Sequence, residues 1–190
     1  MRLSDRSRRG QAGFTLVELL IVLTLVSVIG GVVVSALVSS MQSTRDTQAR
    51  VGAMAELQRA AENVTREVRA ACPVVGPVLD DSTITAAIQR DGEQRRHTFR
   101  FDATANTLVE NVQQRNASGT WITVVPDRIM LRDLVASASS FEFLDDRGQP
   151  VTLPGDVRTV KLNLSRNIPN ADDVLVETAV SLRNGGRSCG

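Results

Sequence analysis

The chain has no Tyr, one Trp, one His, two Cys and a single Lys among its 22 basic side chains. Each scarcity closes a class of chemistry. With one His and two distant cysteines, Cys72 and Cys189, a zinc site of the usual His/Cys kind lacks ligands. A Ser-His-Asp triad would have to run through His97, and there is no Gly-x-Ser-x-Gly elbow to present a nucleophile. His97 lies between Arg96 and Thr98 in a strand-like stretch and reads as an ordinary strand residue. The acid pairs Asp80-Asp81, Asp145-Asp146 and Asp172-Asp173 lack the spaced oxygen-ligand pattern of a calcium loop. They read as solvated turn residues, with calcium as the competing reading. We therefore expect no enzyme, no cofactor and no metal. With so few aromatics, the core must be built mainly of Val, Leu, Ile and Ala. The formal net charge of +1 gives no reason to expect a nucleic-acid partner.

What the chain has is a long apolar run. From Phe14 to Val38 there are 25 residues, and Glu18 is the only charged one. Such a run reaches about 37 Å as a helix, enough to cross a hydrocarbon core of about 30 Å with some tilt. It exceeds the apolar region of a secretory signal, about 7–15 residues, and the small-residue cleavage pattern after it is weak. Arg2, Arg6, Arg8 and Arg9 flank it on the N-terminal side against Asp5 alone. The positive-inside rule then leaves the N-terminus in the cytoplasm and exports the rest of a single-pass inner-membrane protein. Glu18 is the anomaly. On insertion scales an acidic side chain at a membrane helix centre costs about 2.5–3.5 kcal/mol, and less near the ends. A charge kept there marks a functional site by default.

The residues around it explain the charge. Gly13-Phe14-Thr15-Leu16-Val17-Glu18, behind a short basic leader and ahead of the apolar run, resembles the processing site of type IV pilins and type II secretion pseudopilins. The resemblance implies cleavage between Gly13 and Phe14 by prepilin peptidase, N-methylation of Phe14, and an apolar helix that stays on the mature protein. It also implies a use for Glu18: neutralising the Phe14 amine of a neighbouring subunit and so fixing the register of assembly. A paired charge in low dielectric is far less costly than two separate ones. The competing readings are that Glu18 satisfies its own terminus, since Phe14 and Glu18 are four apart, or that it snorkels to the interface. Gly30-Gly31 is the weakest point of the run, because each Gly costs about 1 kcal/mol against Ala in a helix. In the family's filaments this helix often partly melts near such a point. The competing role for Gly30 and Gly31 is close helix packing.

Helical character continues beyond the membrane half. Val51, Met54, Leu57, Ala61, Val64 and Val68 recur at spacings of three and four and mark one apolar face. Asp46–Arg50 and Glu62–Arg66 are spaced as i,i+4 ion pairs. Pro73 places the helix end near Ala71–Cys72. After it the period changes to two. Thr98–Phe101, Trp121–Val125, Ser140–Phe143, Val160–Leu164 and Val174–Glu177 read as strands, with turn clusters at Asp145–Gly148 and Pro169–Asp173. Asp102–Ser118 has loop-like stretches. Strands at this spacing, with no helices between, argue one antiparallel sheet covering the helical stripe.

The expected fold class is α+β: a long N-terminal helix packed on an antiparallel β-sheet head. The expected division is a leader over 1–13, a transmembrane half over 14–38, an amphipathic half over 39–71 and an exported head over 72–190. The Phe-x-Phe strand, the Asp-Asp-Arg-Gly turn and a closing hairpin ending Ser181-Leu182-Arg183-Asn184 look most like J-type pseudopilins or W-type minor pilins. The resemblance implies as partners other pilin or pseudopilin subunits, prepilin peptidase, an inner-membrane assembly platform and the lipid bilayer. The two cysteines allow one bridge in an exported domain, Cys72 to Cys189; free thiols or pairing between chains are the alternatives. Against the filament subunit stand two other classes: a membrane-anchored binding module that never polymerises, and an anchored exported enzyme.

Overall fold

The computed structural model describes residues 15–71, 79–90, 92–169 and 172–182. Its longest element is the helix α1, Leu16–Ala70, 55 residues without a break. Thr15 starts it: its hydroxyl accepts the Glu18 N–H at 3.2 Å, and its carbonyl accepts the Leu19 N–H at 3.2 Å. That satisfies donors left orphaned in the first turn. At the other end the Ala71 N–H reaches the Val68 carbonyl at 3.1 Å, a tightened last turn two residues before Pro73. The chain divides into two compact units, Met1–Arg45 and Asp46–Gly190.

In the first unit every described residue is exposed. This part of α1 is long and apolar enough to cross a membrane. Two polar side chains inside the apolar run bond back to the helix itself: Thr24 to the Ile21 carbonyl and Ser27 to the Leu23 carbonyl, both at 2.8 Å. They therefore ask nothing of their surroundings, as a hydrocarbon environment requires.

The second unit packs the remainder of α1 on seven strands. They are β1 Thr83–Arg90, β2 Glu93–Asp102, β3 Thr107–Arg115, β4 Trp121–Leu131, β5 Ser140–Leu144, β6 Thr159–Arg166 and β7 Val174–Ser181. All pairings are antiparallel, in the orders β1-β2-β3-β4 and β5-β6-β7. The single expected sheet is thus two. The α+β class stands, but the stretch after β4 turns the chain into a second layer. The sheets touch where the Phe141 N–H donates to the Asp81 carbonyl at 2.7 Å and the rings of Phe101 and Phe141 meet at 4.8 Å.

One core serves both sheets. Leu57, Ala60, Ala61, Val64 and Val68 of α1 bury against Ile84, Phe99 and Leu108 from the first sheet and Phe141, Leu162 and Leu164 from the second. Each large side chain buried there contributes about 1.5–3 kcal/mol before the entropy of ordering it is subtracted. The apolar stripe begins later than its spacing predicts. Val51 is 65% and Met54 42% exposed, and Ala53 is the first buried residue. A helical period identifies a face but not the residue at which a sheet begins to cover it. The expected i,i+4 ion pairs are also replaced: Arg50 bonds Asp172 at 2.8 Å, and Arg66 bonds Glu67 at 3.3 Å and Asn63 at 2.7 Å. Asp102–Ser118 has turns at 103–106 and 117–118, and between them the strand β3. The expected turn at Asp145 forms: its carboxylate accepts the N–H groups of Arg147 and Gln149, each at 2.8 Å, and Gly148 takes the required positive φ of 75°.

Candidate functional site

Gly13 and Phe14, the expected cleavage and methylation positions, lie outside the described residues, as do Cys72 and Cys189. Glu18 is described. It is exposed in the first turn of α1, where negative charge is favoured by the helix dipole. Its backbone N–H is capped by Thr15, and its carboxylate has no bonding partner among the described residues. Thr15-x-x-Glu18 has the spacing of a capping box, so the backbone of Glu18 helps start the helix while its carboxylate stays available. Gly30 and Gly31 sit within the unbroken helix, and a Cβ at either would meet nothing within 4 Å.

The second unit carries charged clusters that sequence reasoning missed. On the core side of the first sheet, Glu110 of β3 is 5% exposed. His97 of β2 and Arg128 of β4 flank it. The His97 Nδ1–H donates to Glu110 Oε1 at 3.0 Å, and the Arg128 guanidinium bonds the other oxygen. An ionised carboxylate only accepts, so this contact fixes the His97 tautomer with the proton on Nδ1. The hydrogen bond from His97, then the positive charge of Arg128, hold the Glu110 carboxyl below the usual range against the opposing effect of burial. Sequence gave little sign of this: Glu110 and His97 are 13 residues apart and meet only because β2 and β3 pair in register. His97 is thus a strand residue with a specific partner.

An open cleft of about 750 Å³ lies between α1 and the loops before β5 and after β6. Gly52, Ala53 and Glu56 line its helical side, and Asp133, Arg166 and Ile168 the other. Arg166 spans it, bonding Glu56 of α1 and reaching Asp133 at 3.5 Å. Asp133 holds a left-handed φ of 59°, as does Asn106 at 53°, and the Leu134 N–H donates to the Asn106 carbonyl at 3.0 Å. Asn and Asp are the non-glycine residues that best tolerate this region. Arg166 and its two acids act as a clasp between helix and loops.

In each acid pair the first member is bonded, Asp80 and Asp145 within their own turns. Asp80 accepts the Ser82 hydroxyl at 2.6 Å and the Ser82 N–H at 3.1 Å, and these bonds hold its carboxyl below the usual range. Asp145 is held low in the same way by the turn N–H groups, that of Gln149 first. Asp172 is taken by Arg50.

Residues 8–38 match the family model for the prokaryotic N-terminal methylation motif. No curated protein and no solved structure matches the chain. The matched segment covers the end of the basic leader, the Gly13-Phe14 junction, Glu18 and the apolar run. The match covers this motif alone, the part of the chain that resembles type IV pilins and type II secretion pseudopilins.

Proposed function

We propose that the chain is a minor pilin or pseudopilin. It is cut between Gly13 and Phe14, methylated on the new Phe14 amine, held in the inner membrane by α1 and built into a filament through Glu18. In that filament it helps initiate or cap a type IV pilus or a type II secretion pseudopilus. The observation that carries the reading is the methylation-motif match over residues 8–38, joined without interruption to a helix long and apolar enough to span a bilayer. The exported half supports it: a helical stripe buried under antiparallel sheets is a head suited to protein contacts. The Phe-x-Phe strand β2, the Asp145 turn and the closing β6–β7 hairpin favour the J-type or W-type subunits within the group.

Mass spectrometry of the mature N-terminus tests the reading. A chain that begins at N-methylated Phe14 is the expected result. An intact leader, or a cut elsewhere, overturns it in favour of a membrane-anchored module that does not polymerise.

A further inference from the structure

The edges of the two sheets are not alike. The edge of β5 is covered by its own chain: Leu144 bridges to Pro150, and the Val151 N–H donates to the Phe143 carbonyl at 2.9 Å. β1 exposes no large apolar side chain. β4 and β7 differ from both. β4 pairs with β3 alone, and β7 with β6 alone. β4 is the longest strand, and only Leu131 of its 11 residues is buried. Ile122 is 47% and Val124 44% exposed. On β7, Leu175 is 50% exposed.

Proteins usually blunt such edges with Lys, Pro, bulges or inward charges. In β4 the charge and proline devices sit in the second half, at Pro126, Asp127 and Arg128, while the register against β3 shifts along the strand, once at Val124. The first half, Trp121-Ile122-Thr123-Val124-Val125, carries none of the side-chain devices, and neither does Val174-Leu175-Val176 of β7. The charges beside the two stretches are opposite. Arg96 stacks over the Trp121 ring at 4.3 Å, and its Nε is buried with no hydrogen-bond partner. Arg115, paired with Trp121 in register, bonds the Gly119 carbonyl and Gln94 but no carboxylate. Immediately before β7 stand Asp172, whose side chain is 96% exposed even while it bonds Arg50, and Asp173, which has no partner among the described residues.

We propose that the first half of β4 is a docking edge for β7 of a second copy of this chain. The strands lie side by side with their N-terminal ends together, because that alignment sets Arg96 and Arg115 beside Asp172 and Asp173. Unpaired N–H and C=O groups on both edges supply the main-chain bonds, and the opposite charges set the direction. Because the two surfaces differ, the contact is heterologous and does not close as a symmetric pair. The inference deepens the assembly reading and rests on it for its setting.

The test uses full-length protein in its native membranes, expressed as two differently tagged copies. A photo-crosslinking amino acid replaces Ile122 in one copy. The expected product links position 122 to residues 174–178 of the other tag, and Leu175→Lys in that other copy abolishes it. Val124→Lys in the first copy abolishes it as well, while circular dichroism shows both variants folded. No crosslink between tags, a crosslink mapped elsewhere, or one that persists in folded Leu175→Lys protein overturns the proposal. The mature N-terminus is read from the same sample. A processed Phe14 terminus without the crosslink overturns edge pairing alone, whereas the crosslink on unprocessed chains upholds edge pairing and overturns the filament reading.

Discussion

Glu18 and Glu110 are two carboxylates kept in places that ordinarily reject charge, and they answer to different tests. Glu18 is exposed, capped only through its backbone, and set in an apolar helix. Glu18→Val removes a charge that a bilayer disfavours, so insertion and leader cleavage persist. On the proposed reading, co-purification with partner pilins should be lost, because a Phe14 amine left unpaired at the contact would cost about 3–5 kcal/mol. Glu18→Gln falls between the two. Glu18→Val entering complexes as wild type does would show that no neighbour uses the charge. Glu110 is a matter of stability. Its carboxyl is held below its ordinary value of 4.5. The unfolded chain therefore takes up this proton more readily than the folded one. The stabilisation from ionised Glu110 is fully present above the ordinary value and is lost as pH falls through the lower folded value. Thermal melts of the full-length protein in detergent, followed by circular dichroism, should show this acid-side loss. Glu110→Gln should destabilise by about 1–3 kcal/mol near neutral pH, since it leaves partners unsatisfied, and should flatten the acid-side slope. A variant with the wild-type slope would remove Glu110 as its source.

The stripe on α1 makes its own prediction. Leu57 is fully buried, and Leu57→Ala should cost about 2–5 kcal/mol. Val51, the first residue of the expected stripe but exposed, should change stability by less than about 0.5 kcal/mol as Val51→Ala. Denaturant midpoints of the two variants check this, and equal losses would mean that the stripe is buried from Val51 on. The same contrast shows what the sequence made legible. Helix length, the apolar run and five of the seven strands follow from period and from Pro73. β1 escapes notice because Ala86 is a weak apolar signal between Ile84 and Ile88 and Ala87 puts an apolar residue on the opposite face. β3 escapes because Leu108 and Val109 are adjacent and both buried, and because Glu110 sits where an apolar residue is expected. The division into two sheets has no local signal at all; it follows from the path of Arg132–Ser139, which only the packed core decides. At the candidate site, the Gly13–Glu18 motif is contiguous and therefore readable. The His97–Glu110–Arg128 cluster is assembled by strand register and is not.

For the molecule as a whole, two cysteines bracket the stretch that holds all seven strands. Cys72 follows α1 and Cys189 is the penultimate residue. Non-reducing peptide mapping of natively exported protein should find them linked, closing a loop long enough to stabilise by about 4–5 kcal/mol in the chain-entropy model. Two alkylatable thiols in folded protein would refute the bridge. The same scarcity that limits chemistry has an optical consequence. With no Tyr and one Trp, nearly all near-ultraviolet emission of the chain comes from a single indole. That indole, Trp121, opens the exposed edge strand with a guanidinium 4.3 Å above its ring. The molecule therefore carries an intrinsic reporter at the place where a second sheet would be added. Water leaving that edge would shift the emission to the blue and shield it from acrylamide, while events in the membrane segment would leave it dark to the observer.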